Sequence, residues 1–190
     1  MSSVEQRLRA RAVATYRVAK PASRAALVAR TGGQIVLVWG FALGVLPAIA
    51  IKVDERLGLP RLRGPGRVKA GAALFGAGSA VGLASAWYMA SEGKGKPIPF
   101  DAARELVIAG PYRVVRNPMA VSAIAQSAGI ALALGSPTAA LIPVSGALVW
   151  NRAIRPSEED FLLQLFGDPY RRYQQAVRCW VPSRPYRPTA

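Results

Sequence analysis

Charged positions along this chain are gathered into blocks, and between the blocks lie three stretches with no charge at all: residues 31 to 51, 70 to 91 and 117 to 151. A hydrocarbon layer about 30 Å thick takes roughly 20 helical residues to cross. The first two stretches each predict one membrane-spanning helix, near 33 to 51 and 70 to 90. The third runs for 35 residues, too many for one crossing, and is interrupted by Gly135, Ser136 and Pro137. A helix-stopping glycine followed by a helix-starting proline predicts a tight hairpin, with spans near 118 to 134 and 137 to 152. The expected fold class is therefore all-α: a multi-pass membrane helical bundle of about four transmembrane helices, one pair forming the hairpin, followed by interfacial helices toward the C-terminus. A water-soluble bundle rarely has use for uncharged runs this long.

Composition sharpens that picture. Hydrophobic residues make up 52% of the chain, yet it carries 25 Lys and Arg against 10 Asp and Glu, a net charge of +15. Both hold only if charge is segregated from the spans. Residues 1 to 30 have seven cations and one acid, which makes them a basic arm, either lying on anionic lipid or disordered. The apolar stretch begins too far from Met1 for a secretory signal. Residues 31 to 183 form the expected membrane domain, and 184 to 190 a mobile tail. Nucleic acid is not an expected partner, because cations flank every span and no basic motif interleaved with aromatics occurs.

The arm places the N-terminus in the cytoplasm, and four spans return the C-terminus to the same side of the cell membrane. The 52 to 69 loop then lies outside with six basic residues, against the usual charge rule. Gly78 and Gly82 make a Gly-x-x-x-Gly pair suited to close helix packing, either within the chain or across a homodimer. Pro47 and Pro143 are expected to kink their helices.

A hairpin has both ends on one face, so the segment entering it, 106 to 118, and the segment leaving it, 152 to 182, are expected to meet. Arg113 and Arg116 would then face Glu158, Glu159 and Asp160, and opposite charges at a membrane edge must pair or bind something polar. Ser157 is the expected N-cap of a short amphipathic helix with the acids in its first turn. Taken singly, the arginines also suit snorkelling anchors, and Tyr112, Tyr170, Tyr173 and Trp180 an aromatic belt. The chain has no histidine and one cysteine, Cys179. A histidine base, a histidine metal site and an internal disulfide are thereby excluded, and no metal is expected.

The segment "LVIAGPYRVVRNPMAVS", followed after about 40 residues by "EEDFLLQLFGDPYRRYQQAVRCWVP", resembles the integral-membrane methyltransferases related to isoprenylcysteine carboxyl methyltransferase and the phospholipid methyltransferases. The shared pattern is a Gly-Pro-Tyr-Arg turn, Arg-Asn-Pro, a helical hairpin, Glu-Glu, then Phe-Gly, spaced tyrosines and a closing proline. "GKGKPIPFD" at 93 to 101 is similar to a lead seen in bacterial members. The resemblance implies an S-adenosylmethionine-dependent methyltransferase acting on a lipophilic or small acceptor at the cytoplasmic membrane face, with membrane lipids as surroundings. The alternative is a noncatalytic membrane protein that binds lipid or a partner through the same interface.

The resemblance also implies site residues. Arg116 suits the carboxylate of the cofactor, and Glu158 or Glu159 its ammonium or ribose hydroxyls. Gly110 and Pro111 would let backbone approach the ligand, Tyr112 would lie near the adenine, and Arg113, Asn117 and Pro118 complete the turn. Tyr170 and Tyr173 would help close the pocket. Arg116 and Glu159 are the expected catalytic pair, with Glu159 as base wherever the acceptor must lose a proton. Ala120 stands where the family usually has Tyr, and Ser122 where it usually has Gly.

Overall fold

In the computed structural model of the chain, the described residues are 17–18, 37, 39–93, 101–102 and 104–187. Most of the basic arm, residues 94–100 of the "GKGKPIPFD" lead and the last three residues of the tail lie outside them.

The elements are helical, as the charge pattern requires. A π-helical turn, Phe41–Val45, leads into α1 (Leu46–Leu57), followed by α2 (Arg67–Ser91). A 3₁₀ turn at Gly110–Arg113 precedes α3 (Pro118–Leu134) and α4 (Pro137–Val149). A second π-helical turn, Trp150–Ile154, then joins α4 to α5 (Arg155–Phe166), and α6 (Asp168–Ala176) follows. The one addition to an all-α reading is a two-residue parallel pairing of β1 (Arg17–Val18) with β2 (Asp101–Ala102).

The chain divides into two compact units. The first comprises Met1–Leu27, Ala84–Pro118 and Val149–Ala190, and the second Val28–Leu83 and Met119–Leu148.

The expected tight hairpin turn lies in the second unit. Gly135 ends α3 with a φ of 62°, a left-handed conformation that glycine adopts without strain. Ser136 caps α4, its hydroxyl accepting from the Ala139 amide at 3.0 Å. The same hydroxyl donates to Asp54, whose other carboxylate oxygen accepts from the Thr138 amide at 3.2 Å. A carboxylate from α1 thus sits at the start of α4, where unpaired amides and the helix dipole favour negative charge. The end of α3 is answered in the opposite sense: Arg67 donates to the carbonyls of Leu132 and Ala133. The Leu62 amide binds the Gly135 carbonyl at 2.8 Å. The end of α1, the loop after it and the start of α2 therefore each fasten the hairpin turn.

Helices α2 and α3 pack through small residues. A Cβ on Gly71 would come within 2.5 Å of the Gly129 carbonyl oxygen, and one on Gly129 within 2.6 Å of the Gly71 carbonyl oxygen. Gly78 and Gly82 face Ser122 and Gln126. The Gly-x-x-x-Gly pair is thus used inside the chain. Ser122, the departure from the usual Gly, is fully buried and donates to the Gly78 carbonyl at 2.7 Å while accepting from Gln126 at 2.9 Å.

Among the described residues, α2 is the one helix long and apolar enough to cross a membrane, and α3 is apolar but shorter. Breaks at Pro118 and Gly135 hold α3 to 17 residues, and Pro137 starts α4, which runs on through the Trp150–Ile154 turn. Helix α1 runs past the apolar stretch into Lys52, Asp54, Glu55 and Arg56.

Substituting Ser136→Ala removes the cap of α4 and one donor to Asp54. We predict a loss of about 1–2 kcal/mol in stability, the upper range for a lost N-cap, measured by denaturant unfolding in detergent. A change within about 0.3 kcal/mol, small against the range for a lost cap, would mean that the turn is held by its backbone alone.

Candidate functional site

The residues expected to carry chemistry gather in the first unit, around the turn that leads into α3. Ala109 is extended, and Gly110 then turns with a φ of +50°, followed by Pro111 in the second position of the 3₁₀ turn. A Cβ on Gly110 would collide with the Tyr88 ring. The close approach expected of this glycine is therefore made to Tyr88. Tyr112 is buried with Val107, against Tyr88, Met89 and Ala109.

Arg116, three residues beyond the turn, is held at both ends. Its amide donates to the Arg178 carbonyl at 3.0 Å. Its guanidinium Nη1 lies 2.9 Å from Glu159 Oε1, with the two side chains 12% and 18% exposed. That approach is an ion pair, and Nε remains buried without a hydrogen-bond partner among the described residues. Glu159 is fixed from its other side by Gln174, whose amide donates to Oε2 at 2.9 Å. The two segments flanking the hairpin thus meet through Arg116 and Glu159.

Glu158 is placed differently. Its nearest donor is the Asn117 amide, 3.4 Å from Oε2. Burial, reinforced by the charge of Glu159, pushes its carboxyl from the ordinary 4.5 up to about 7. The Tyr112 hydroxyl is buried and without a partner among the described residues. Burial first, then the charges of Tyr173 and Glu158, push its ionisation well above the usual tyrosine range.

Other expected site residues serve the scaffold. Tyr170 and Tyr173 are 3% and 2% exposed and pack with Val177, Leu162, Leu163 and Phe166. The Tyr173 hydroxyl donates to the Tyr112 carbonyl at 2.6 Å. Pro118 is fully buried at the start of α3. Arg113, expected to face the acids, donates from Nε to the Tyr186 carbonyl at 3.1 Å. Ser157 is not an N-cap. It lies inside a helix that continues through the Trp150–Ile154 turn, and its hydroxyl donates back to the carbonyls of Ala153 and Ile154. The reason is that α4 does not stop before Pro156, so no free amides await a cap there.

Sequence reasoning missed Gln174, Tyr88, the Arg178 carbonyl and Tyr186. Only Tyr186 had a legible signal, as an aromatic within a polar tail. Cys179 is buried, and its thiol is pushed up by burial against the opposing influence of Arg155 and Arg116, which suits packing better than nucleophilic attack. A cavity of about 400 Å³ lined by Arg63, Gly64, Gly66, Arg67, Val68 and Lys69 belongs to the second unit. It is an open turn holding none of the expected site residues.

A family model described as phospholipid methyltransferase matches residues 67–169. No curated protein and no solved structure matches the chain.

The raised Glu158 carboxyl fixes the sign of a pH effect. Between about pH 4.5 and 7 the folded protein holds a proton that the unfolded chain has released. The contribution of Glu158 is therefore most favourable below 4.5 and is lost as pH rises through 7. We predict that apo protein in detergent loses thermal stability across that window, and that Glu158→Gln flattens the decline. Parallel curves for the two proteins would show that Glu158 titrates at its ordinary value.

Proposed function

This chain belongs to the phospholipid methyltransferase family, and from that premise we propose that it is an S-adenosylmethionine-dependent methyltransferase acting at the cytoplasmic face of the membrane. Methyl transfer to a membrane lipid or a related substrate is the chemistry of the family. The observation that carries the finer reading is Arg116, a partly buried guanidinium whose Nη1 is paired with the Glu159 carboxylate and whose Nε has no hydrogen-bond partner among the described residues. A zwitterionic amino-acid group fits such a pair, since its carboxylate completes the arginine and its ammonium meets the glutamate.

When bound, S-adenosylmethionine would supply a methyl group on a sulfonium, open to in-line displacement by the acceptor. What remains for the chain is binding, orientation, water exclusion and proton handling. Arg116 binds the carboxylate, and Glu159, held by Gln174, keeps the guanidinium aimed. Tyr112 offers a buried hydroxyl. The packed rings of Tyr170 and Tyr173 keep water from one side.

Proton handling passes from Glu159, the base expected from the sequence, to Glu158. Glu159 is committed to Arg116 and Gln174. Glu158 has one distant amide partner and a carboxyl poised near neutrality, as a group that accepts a proton at pH 7 requires. An acceptor that arrives as an anion would leave this role unused.

A membrane setting is supported by the outward faces of the helices. Leu83 and Trp87 on α2 are 72% and 71% exposed, and Leu141, Val144 and Leu148 on α4 are also exposed. Apolar surface on this scale is suited to lipid. In the proposed topology both termini lie in the cytoplasm and the 52 to 69 loop lies outside. Two of its six cations already have internal uses: Arg67 on the α3 carbonyls, and Arg61 on Glu55 at 3.2 Å. The conflict with the charge rule shrinks accordingly.

The test is calorimetric titration of S-adenosylmethionine into protein in nanodiscs, beside Arg116→Ala and Glu159→Gln. We predict saturable binding weakened about 10- to 100-fold in both variants, the scale of one lost charge-assisted hydrogen bond. No binding by the folded parent protein would favour the noncatalytic lipid- or partner-binding alternative.

A further inference from the structure

Residues 183 to 186 run beside the segment that carries Arg116. The Ser183 amide and hydroxyl both donate to the Val114 carbonyl, at 2.8 and 2.9 Å. Three residues on, Tyr186 and Arg113 are joined twice. The Tyr186 amide donates to the Arg113 carbonyl at 2.9 Å, and Arg113 Nε returns to the Tyr186 carbonyl at 3.1 Å. The Tyr186 ring lies 6.0 Å from that of Tyr173, whose hydroxyl holds the Tyr112 carbonyl.

These bonds have a common target. The carbonyls of three consecutive residues, Tyr112, Arg113 and Val114, and then the amide of Arg116, are all held by the stretch from Tyr173 to Tyr186. Residues 112 and 113 close the four-residue 3₁₀ turn and 114 to 117 link it to α3; the local bonds of the Val114 and Val115 amides to the Pro111 carbonyl leave the carbonyls of 112 to 114 and the Arg116 amide to be held from outside the segment. Groups that would otherwise sway with a loop are pinned at four successive points. A guanidinium that must meet a ligand within a fraction of an ångström depends on such pinning.

We propose that residues 183 to 186 form a strap that positions Arg116 for cofactor binding, with Tyr186 as its positioning residue. Tyr186 acts through Arg113 and Tyr173 and does not touch the ligand. The proposal rests on the reading of Arg116 as the group that receives the cofactor carboxylate.

Three forms of the full-length protein in nanodiscs test it, together with a chain ended after Pro182. Tyr186→Ala removes the ring contact, while Tyr186→Phe retains it and serves as the conservative control. Two readouts are taken: S-adenosylmethionine affinity by calorimetry, and hydrogen exchange of the amides of residues 114 to 116 without ligand. The strap predicts that Tyr186→Ala and the shortened chain lose affinity about tenfold or more, that Tyr186→Phe stays near the parent, and that exchange at 114 to 116 rises in step with the loss. Combined with Arg116→Ala, Tyr186→Ala should add little further, because both act through one guanidinium.

Parent-like affinity and parent-like exchange in Tyr186→Ala would overturn the strap while leaving the cofactor reading in place. A folded parent that binds no S-adenosylmethionine would overturn the cofactor reading, and with it the role of the strap in binding. Should the shortened chain fail to fold, the two point variants still decide the matter.

Discussion

An arginine cannot surrender its proton to suit its surroundings, so once it is drawn partly out of water its N–H groups must be met by something. Arg116 is drawn in to 12% exposure, and the chain meets it incompletely. Glu159 supplies the opposing charge, and the Arg178 carbonyl fixes the backbone beneath it. Much of the first unit follows from this one requirement. Helix α5 must bring its acids to the turn before α3, and α6 must deliver Gln174 to the far oxygen of Glu159. The segment after α6 must come back alongside. What the described residues leave unmet, Nε, is the part that a ligand can use.

Two neighbouring glutamates on one helix become chemically different through their partners alone. Glu159 is gripped by a guanidinium and a primary amide. Glu158 is partly buried beside that negative charge with a single distant donor, and protonation near neutrality follows. The sequence "EED" carries no mark of this division, because the distinction lies in Arg116 and Asn117, before α3, and Gln174, on α6. Environments that separate the affinities of paired carboxyls are also how a site assigns binding to one and proton transfer to the other.

Local grammar was legible wherever it was sufficient. Gly135 and Pro137 stop one helix and start the next, as read from the sequence, and the structure adds Ser136 as the cap between them. The meeting of Arg116 with Glu159 was legible from topology, because a hairpin returns the chain to its starting face. The Ser157 cap was misread because "PSEE" looks identical whether a helix begins there or passes through, and the π-helical turn before it leaves no plain sequence sign. Of the four expected spans, α2 is the one among the described residues that is long and apolar enough by itself, because proline and glycine divide the third uncharged stretch into shorter helices. Residues 183 to 186 have the polar, proline-containing composition of a free tail, yet backbone groups hold them, and backbone groups are common to every residue.

The contact between Gly71 and Gly129 has a consequence for how this protein can change over time. Each glycine sits against the carbonyl of the other, so the interface is made of main chain, which substitution cannot improve and can only obstruct. Association of this kind draws on close dispersion and dipole contacts and does not rely on expelling water. The outward Leu, Val and Trp side chains are thereby relieved of any part in holding α2 to α3. Drift can accumulate freely on the outer faces, while the inner seam admits almost no alternatives.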